Sequence, residues 1–170
     1  MSRKLRRTVF AFAFTLLCLA FANWGPIQAQ KDDAAAVEKN KLIIRRYFEE
    51  AWNKGELAVL DELLDADYIN HSPSFGNPPP GPGGLKPIIA ELRSAFPDLH
   101  FTIEDMVVTE DAAAVRVTMY GTHKGDLFGI PPTGRKVVVK QLQIERIRDG
   151  RIVEHWRQSD DLGMMRQLGQ

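Results

Sequence analysis

Apolar residues in the first half of the chain recur every three or four positions, the spacing of one face of an α-helix. This pattern predicts a long amphipathic helix over 43–52, with Gly55 placed where a left-handed residue would end it. A second, shorter apolar stripe at 57–64 closes at the acidic run that starts with Asp65. Two consecutive helices are therefore expected.

The next stretch combines a short strand, a loop and a third helix. A strand-like run occupies 68–71, and the five prolines and four glycines of 73–84 exclude a helix or a central strand there. Helical spacing returns at 85–96 and stops before Pro97. The proline-rich loop is expected to cross the surface or to edge a pocket.

In the second half of the chain the apolar period falls to two, which is typical of strands with one buried face. One hairpin is predicted over 99–123, turning at Glu110-Asp111. A second is predicted from 137–148 and 151–158, joined by Asp149-Gly150, a dipeptide that favours a tight hairpin turn. Four long antiparallel strands are therefore expected.

Helices followed by antiparallel strands indicate an α+β fold. A strongly curved sheet has a concave face that must be covered, and the amphipathic helices are available to cover it. The expected architecture is a cone-shaped α+β barrel, with the N-terminal helices packed on the concave face of a mostly antiparallel sheet around an interior pocket. Its length suits a single domain, assigned to 30–170.

Residues 1–29 have the three parts of a secretory signal: a basic start, an apolar run over 8–22 and a polar end that contains Gly and Pro. Cleavage is expected after Ala29, with Ala22 as a second candidate site. The apolar run is too short for a stable membrane span. The mature protein is therefore expected to be exported, periplasmic or secreted, without membrane insertion.

Basic and acidic residues balance at 22 each, but four of the basic ones lie in the leader, before the apolar run. Without these four, the mature protein carries a net charge of about −4, which argues against a nucleic-acid partner because phosphate neutralisation requires a basic face. The same charge argues against binding to an anionic membrane surface.

The sequence carries no pattern for a metal, a nucleotide or an activated nucleophile. It lacks the zinc-protease HExxH, the dithiol CxxC, the hydrolase GxSxG, the dinucleotide GxGxxG and the P-loop pattern. Its histidines, His71, His100, His123 and His155, do not have the spacing of a metal site. Neither metal nor cofactor is expected, and acid/base chemistry remains.

Several segments occur in an order that is specific to one family. They are YINHSP at 68–73, GTHKG at 121–125, GIPPTGR at 129–135 and DGRIVEHW at 149–156, followed by Asp160 and QLG at 167–169. With these segments the chain resembles the SnoaL-like polyketide cyclase, or ester cyclase, family over 40–169. The resemblance implies the cone fold of the nuclear transport factor 2-like superfamily, and ring closure by intramolecular aldol condensation without metal or cofactor. The implied partner is a small apolar carbonyl compound.

In that family an aspartate late in the last strand is the acid/base, and the Trp-x-x-x-Asp spacing assigns this role to Asp160. A two-residue period would place Trp156, Gln158 and Asp160 on one inward face, and His155 toward solvent. An apolar pocket raises the pKa of a carboxyl and makes it a better proton acceptor. Arg116 would orient Asp160 or a substrate carboxylate. The alternatives are that Asp160 caps the C-terminal helix and that Arg116 is solvated on the outer face.

His71 and His123 match histidine positions of the family, which implies hydrogen bonds that stabilise a forming enolate. The alternative for both is a structural role. Tyr68 and Asn70 lie on the opposite strand face from His71, and His71 ranks above Asn70 as the residue that points inward.

Three functions remain open. The first is a cofactor-independent lyase or isomerase that uses Asp160 on a small carbonyl compound, by cyclisation, isomerisation or hydration. The second is an exported ligand-binding module that performs no chemistry. The third is hydrolysis of an epoxide or ester by a water that Asp160 activates, with Tyr68 and Asn70 beside it.

One strand also suggests how copies of the protein assemble. Val138, Leu142 and Ile144 give one face of that strand too many apolar side chains to leave in water. Because sheets of the cone fold commonly pair through their outer faces, a homodimer is expected.

Overall fold

The computed structural model describes residues 24–73 and 76–170, with side chains from Asp33 onward. The chain divides into two compact units, 1–36 and 37–170. The predicted secretory signal over 1–29 lies almost entirely outside the described residues. Within the described ranges, no helix has the length and apolar character to cross a membrane.

The helical segments account for the apolar stripes of the first half of the chain. The described segments are α1 (Trp24–Arg46), a π-helical segment (Tyr47–Lys54), a 3-10 turn (Leu57–Val59), α2 (Leu60–Leu63), α3 (Pro82–Ala95) and α4 (Asp161–Leu168). The predicted cap is confirmed: Gly55 has a φ of 75°, and its N–H donates to the carbonyl of Glu50. α3 begins ahead of its predicted start because Pro82, which has no N–H, suits the first helical position.

Five strands form one mixed sheet in the order β1-β5-β4-β3-β2. They are β1 (Leu64–Asn70), β2 (His100–Val108), β3 (Ala112–Thr122), β4 (Lys136–Arg148) and β5 (Arg151–Ser159). The last four strands pair antiparallel in two hairpins, as predicted, whereas β1 runs parallel to β5. The curved, open sheet with helices on its inner face confirms the predicted α+β cone architecture.

The π-helical segment packs an aromatic face against the inner side of the sheet. The rings of Phe48 and Trp52 lie 5.7 and 5.2 Å from the ring of Phe101 on β2. Tyr47 contacts both edge-on, with centroid distances of 5.3 Å to Phe48 and 6.3 Å to Trp52. These contacts bury Tyr47 and fix its ring beside the interior of the cone.

The β4–β5 hairpin turns at Asp149-Gly150, where both residues have positive φ, 52° and 76°. This is the geometry that a two-residue hairpin requires. Beyond the turn the register shifts: Ile147 pairs with Ile152, but Arg146 pairs with Glu154. Val153 is the extra residue of a β-bulge, and every later position of β5 faces the side opposite to that of simple alternation.

β4 carries polar side chains on its inner face and apolar ones on its outer face over 141–145. Gln141, Gln143 and Glu145 point inward and are buried. Val138, Leu142 and Ile144 point outward and are 47%, 51% and 43% exposed. The predicted apolar outer face is therefore present, and the usual arrangement of apolar inside and polar outside is reversed in this stretch.

Candidate active site

A cavity of about 210 Å³ lies between the helices and the inner face of the sheet. Most of its wall is apolar and is formed by Trp52, Leu85, Ile88, Leu92, Phe101, Met119, Phe128, Val139, Met164 and Met165. Its polar side chains are those of Tyr47, Asn70, Ser72, Gln141, Gln143, His155, Arg157 and Asp161. An apolar cavity with a few convergent polar groups is the usual form of a small-molecule site.

Four of these eight polar groups, Gln141, Gln143, His155 and Arg157, belong to one ladder across β4 and β5. Glu145 lies opposite His155, and Gln143 lies opposite Arg157. Residues directly opposite each other in an antiparallel pair share a face of the sheet. The bulge at Val153 therefore brings the imidazole of His155 to the inner face, where the sequence predicted Trp156 and Gln158.

The imidazole of His155 lines the cavity, and behind it lies the buried carboxyl of Glu145. Nδ1 of His155 lies 2.7 Å from Oε1 of Glu145, and the two side chains are 6% and 0% exposed. Burial raises the pKa of the Glu145 carboxyl, and the adjacent His155 offsets part of that rise. Among the described residues, the second oxygen of Glu145 has no hydrogen-bond partner.

This arrangement prepares His155 for proton transfer. When Glu145 is ionised, Nδ1–H of His155 donates to the carboxylate, which orients the ring. Nε2, on the other edge of the ring, is then the nitrogen available to a molecule in the cavity. A carboxylate-oriented imidazole of this kind is a general base that later returns the proton as a general acid.

Hydrogen-bond donors lie in the same cavity. Nε2 of Gln143 donates to Oε1 of Gln141 over 2.8 Å, which leaves the amide N–H groups of Gln141 for a ligand. Burial, followed by the charge of Glu145, raises the pKa of the Tyr47 phenol, so the hydroxyl keeps its proton and remains a donor. Such donors stabilise negative charge on an oxygen atom.

The model of the SnoaL-like polyketide cyclase family matches residues 42–168, which is most of the chain and most of its second unit. The chain belongs to the SnoaL-like polyketide cyclase family. The resemblance predicted from the sequence segments is thus confirmed.

Individual members of the family support this assignment. The chain is 34% identical over 131 residues to aklanonic acid methyl ester cyclase DnrD of Streptomyces peucetius, covering 75% of this chain and 89% of that protein. It is 31% identical over 121 residues to nogalonic acid methyl ester cyclase of Streptomyces nogalater, covering 70% and 90%.

Two solved structures share the fold. TsrD from Streptomyces laurentii superposes with a TM-score of 0.70 at 32% identity, covering 78% of this chain and 96% of that chain. IdmH from Streptomyces antibioticus superposes with a TM-score of 0.66 at 38% identity, covering 76% and 98%.

In this SnoaL-like protein Asp160 lies outside the cavity wall. It is exposed, it follows the last residue of β5, and its Oδ1 accepts a 2.9 Å hydrogen bond from the N–H of Gly163. This is the capping contact at the start of α4. The next residue, Asp161, lines the cavity instead. The predicted inward position of Asp160 is therefore corrected, and its predicted acid/base role stays a prediction.

His71 and Trp156 also lie away from the cavity. Their rings stack at 4.5 Å with an angle of 8° between planes, and Nε2 of His71 is 2.8 Å from Oε2 of Glu154. Gln158 is exposed on the same side of β5. The inward positions predicted for Trp156 and Gln158 are wrong, as is the predicted solvent exposure of His155, because the bulge reverses the faces.

At the end of β1, Tyr68 and Asn70 are the residues that point inward. Tyr68 is 2% exposed, and Asn70, paired in register with His155, lines the cavity. His71 is exposed. The ranking of His71 above Asn70 as the inward residue is therefore wrong, because the parallel pairing of β1 with β5 places Asn70 beside the inward-facing His155.

His123 and Arg116 occupy structural and outer positions. His123 is fully buried: its Nδ1 accepts from the backbone N–H of Thr133 at 3.3 Å, and its ring packs 5.3 Å from Phe96. It is absent from the cavity wall, so its predicted contact with a substrate carbonyl is unsupported by its position. Arg116 is exposed opposite Leu142, on the outer face.

Sequence reasoning missed Glu145, Gln141, Gln143 and the inward position of His155. One signal for them was present, since polar residues occupy alternate positions of β4 opposite the apolar face assigned to a dimer contact. Among the described residues, no group of three or more His, Cys, Asp or Glu side chains could hold a metal ion.

The two roles of Asp160 make opposite predictions. If Asp160 is the helix cap, the Asp160→Ala variant should lose about 1 kcal/mol of stability and keep its turnover. If Asp160 is the acid/base, the Asp160→Asn variant should lose about 10²–10⁴-fold in turnover without loss of stability. The observed contact favours the cap. Urea unfolding and turnover measured on both variants separate the roles, with Asp67→Ala, another exposed aspartate, as the control.

The raised pKa of Glu145 predicts a pH dependence of stability. A carboxyl whose pKa is higher in the folded state binds more protons folded than unfolded, so the free energy of unfolding falls as pH rises from the unfolded pKa to the folded one. Glu145→Gln should remove this decline. Chemical denaturation across that pH range measures it, and Glu154→Gln, a partly exposed acid, should keep the wild-type slope.

Proposed function

We propose that this SnoaL-like protein catalyses cofactor-independent acid/base chemistry, either ring closure or isomerisation, on a small apolar carbonyl compound held in the cavity. The observation that carries the proposal is the buried Glu145–His155 pair, whose imidazole lines an otherwise mostly apolar wall. The named relatives, aklanonic acid and nogalonic acid methyl ester cyclases, support the reaction class.

The reaction we propose is balanced without a further reagent. Nε2 of His155 takes a proton from a carbon flanked by carbonyls, and the resulting enolate carbon bonds to a second carbonyl carbon of the same molecule. The oxygen of that second carbonyl becomes an alkoxide and receives the proton back from Nε2. Glu145 stabilises the imidazolium while it exists, and Tyr47 and Gln141 donate hydrogen bonds to the enolate oxygen.

The apolar wall contributes to this chemistry by excluding water. Electrostatic interactions are stronger in a dry site than in solution, so donors already positioned around an enolate stabilise it more effectively. The aromatic contacts that hold Tyr47, and the strand ladder that holds Gln141 and His155, keep the groups in place before the substrate binds.

His155→Gln should lower the catalysed exchange of carbon-bound hydrogen by about 10²–10⁴-fold, because glutamine cannot accept the proton. The measurement is hydrogen–deuterium exchange next to the carbonyl of 2-tetralone, a bicyclic ketone, followed by NMR. His100→Gln, an exposed histidine outside the cavity, is the matched control and should exchange at the wild-type rate.

Two results would contradict the proposed function. If wild-type protein binds the ketone but does not accelerate exchange, the cavity is a binding site alone, as in an exported ligand-binding module. If exchange is lost in Asp160→Asn but kept in His155→Gln, the base is Asp160.

We also propose a homodimer formed through the outer face of the sheet. Val138, Leu142 and Ile144 support it because these exposed apolar side chains share the outer face of one strand, with Lys140 between the first two, and favour burial against a partner. Leu142→Lys should convert the dimer to a monomer by placing charge at this face. Light scattering at micromolar concentration measures the mass, and a monomeric wild-type protein would contradict the proposal.

A location outside the cytoplasm remains part of the proposal and rests on the leader sequence. A periplasmic or secreted cyclase would act on a molecule that has already left the cell or that comes from outside it.

A further inference from the structure

Arg157 is a cation in the wall of the cavity. Its side chain is 15% exposed, and its two terminal nitrogens lie 3.3 and 3.2 Å from the carboxylate oxygens of Asp161. Among the described residues, its Nε is buried without a hydrogen-bond partner. A guanidinium has five N–H donors, so Asp161 leaves several of them unused.

The contact between Arg157 and Asp161 is long, and the carboxylate partner is exposed to solvent. Charge-assisted hydrogen bonds in strong pairs are about 2.7–2.9 Å long, and both bonds here are longer. The Asp161 side chain is 55% exposed, so water solvates its carboxylate when it separates from Arg157. A second anion inside the cavity can therefore replace Asp161 as the partner of the largely buried guanidinium.

The position of Arg157 relative to the proposed base is set by the strand. Arg157 follows His155 by two residues of β5, and both line the cavity. Alternate residues of a strand are separated by roughly 7 Å and face the same side. The two side chains therefore enter the cavity from neighbouring positions on one face of β5.

We propose that Arg157 binds a carboxylate of the substrate, which makes the substrate a keto acid with its carboxylate at Arg157 and its reactive carbon at His155. In this arrangement Asp161 occupies the guanidinium in the free protein and moves into solvent when the substrate enters. The assignment of the reactive end rests on the proposed function, whereas the anion site is independent of it.

Binding of two matched probes tests the anion site in the full protein. 2-Naphthoate and its neutral analogue 2-naphthamide have nearly the same shape, and calorimetry gives their affinities. Wild-type protein should bind naphthoate at least about tenfold more tightly than naphthamide, because hydrogen bonds to a charged group are the stronger ones. Arg157→Gln should abolish this preference while keeping the affinity for naphthamide. Arg148→Gln, an exposed arginine of β4, should keep the preference.

The second variant, Asp161→Asn, should change the preference for naphthoate in a direction that a purely structural role of Arg157 would not produce. It removes the competing anion, so the preference for naphthoate should increase by about tenfold or more. If Asp161→Asn weakens naphthoate binding, or if wild-type protein binds the two probes equally, the proposal is wrong. Should Arg157→Gln fail to fold, the Asp161→Asn result decides the question by itself.

The outcomes separate this proposal from the proposed function. Loss of the naphthoate preference with His155-dependent exchange of 2-tetralone intact would overturn only the anion site. Naphthoate preference without any exchange would overturn only the acid/base function.

Discussion

The β-bulge at Val153 decides which side chains of the last strand reach the cavity. A strand has only two faces, so one extra residue reverses the face of every position that follows it. Ile152 points inward before the bulge, and His155 points inward after it, where simple alternation would have brought Trp156. The proposed base, its carboxylate partner on β4 and the arginine two positions later all depend on this register.

The pair formed by Glu145 and His155 is costly for the fold. A carboxylate that is moved from water to a protein interior loses its hydration, and one short contact to an imidazole offsets only part of that cost. A pair of apolar residues of similar size would stabilise the fold at least as well. A buried ionisable pair that also faces a cavity is therefore better explained by chemistry than by stability.

The middle of β4 shows how the sheet separates its two surfaces. Over 141–145 the buried inner side chains are polar, and the exposed outer side chains are apolar. Membership of the family specifies the cone fold, and the relatives named above are cyclases. The particular base and the substrate group recognised beside it depend on individual residues of this chain, since one fold supports many sites.

Local signals in the sequence were sufficient for the elements and the family. The helical stripes, the left-handed cap at Gly55, the turn at Asp149-Gly150 and the apolar outer face of β4 each depend on residues close together in the chain, so they could be predicted. The inward position of His155 and the outer positions of Trp156 and His71 could not. They follow from the bulge and from the parallel pairing of β1 with β5, which has its own register shift between Leu64 and Ile69. Strand register is set by packing between residues far apart in sequence, and only the tertiary structure contains those contacts.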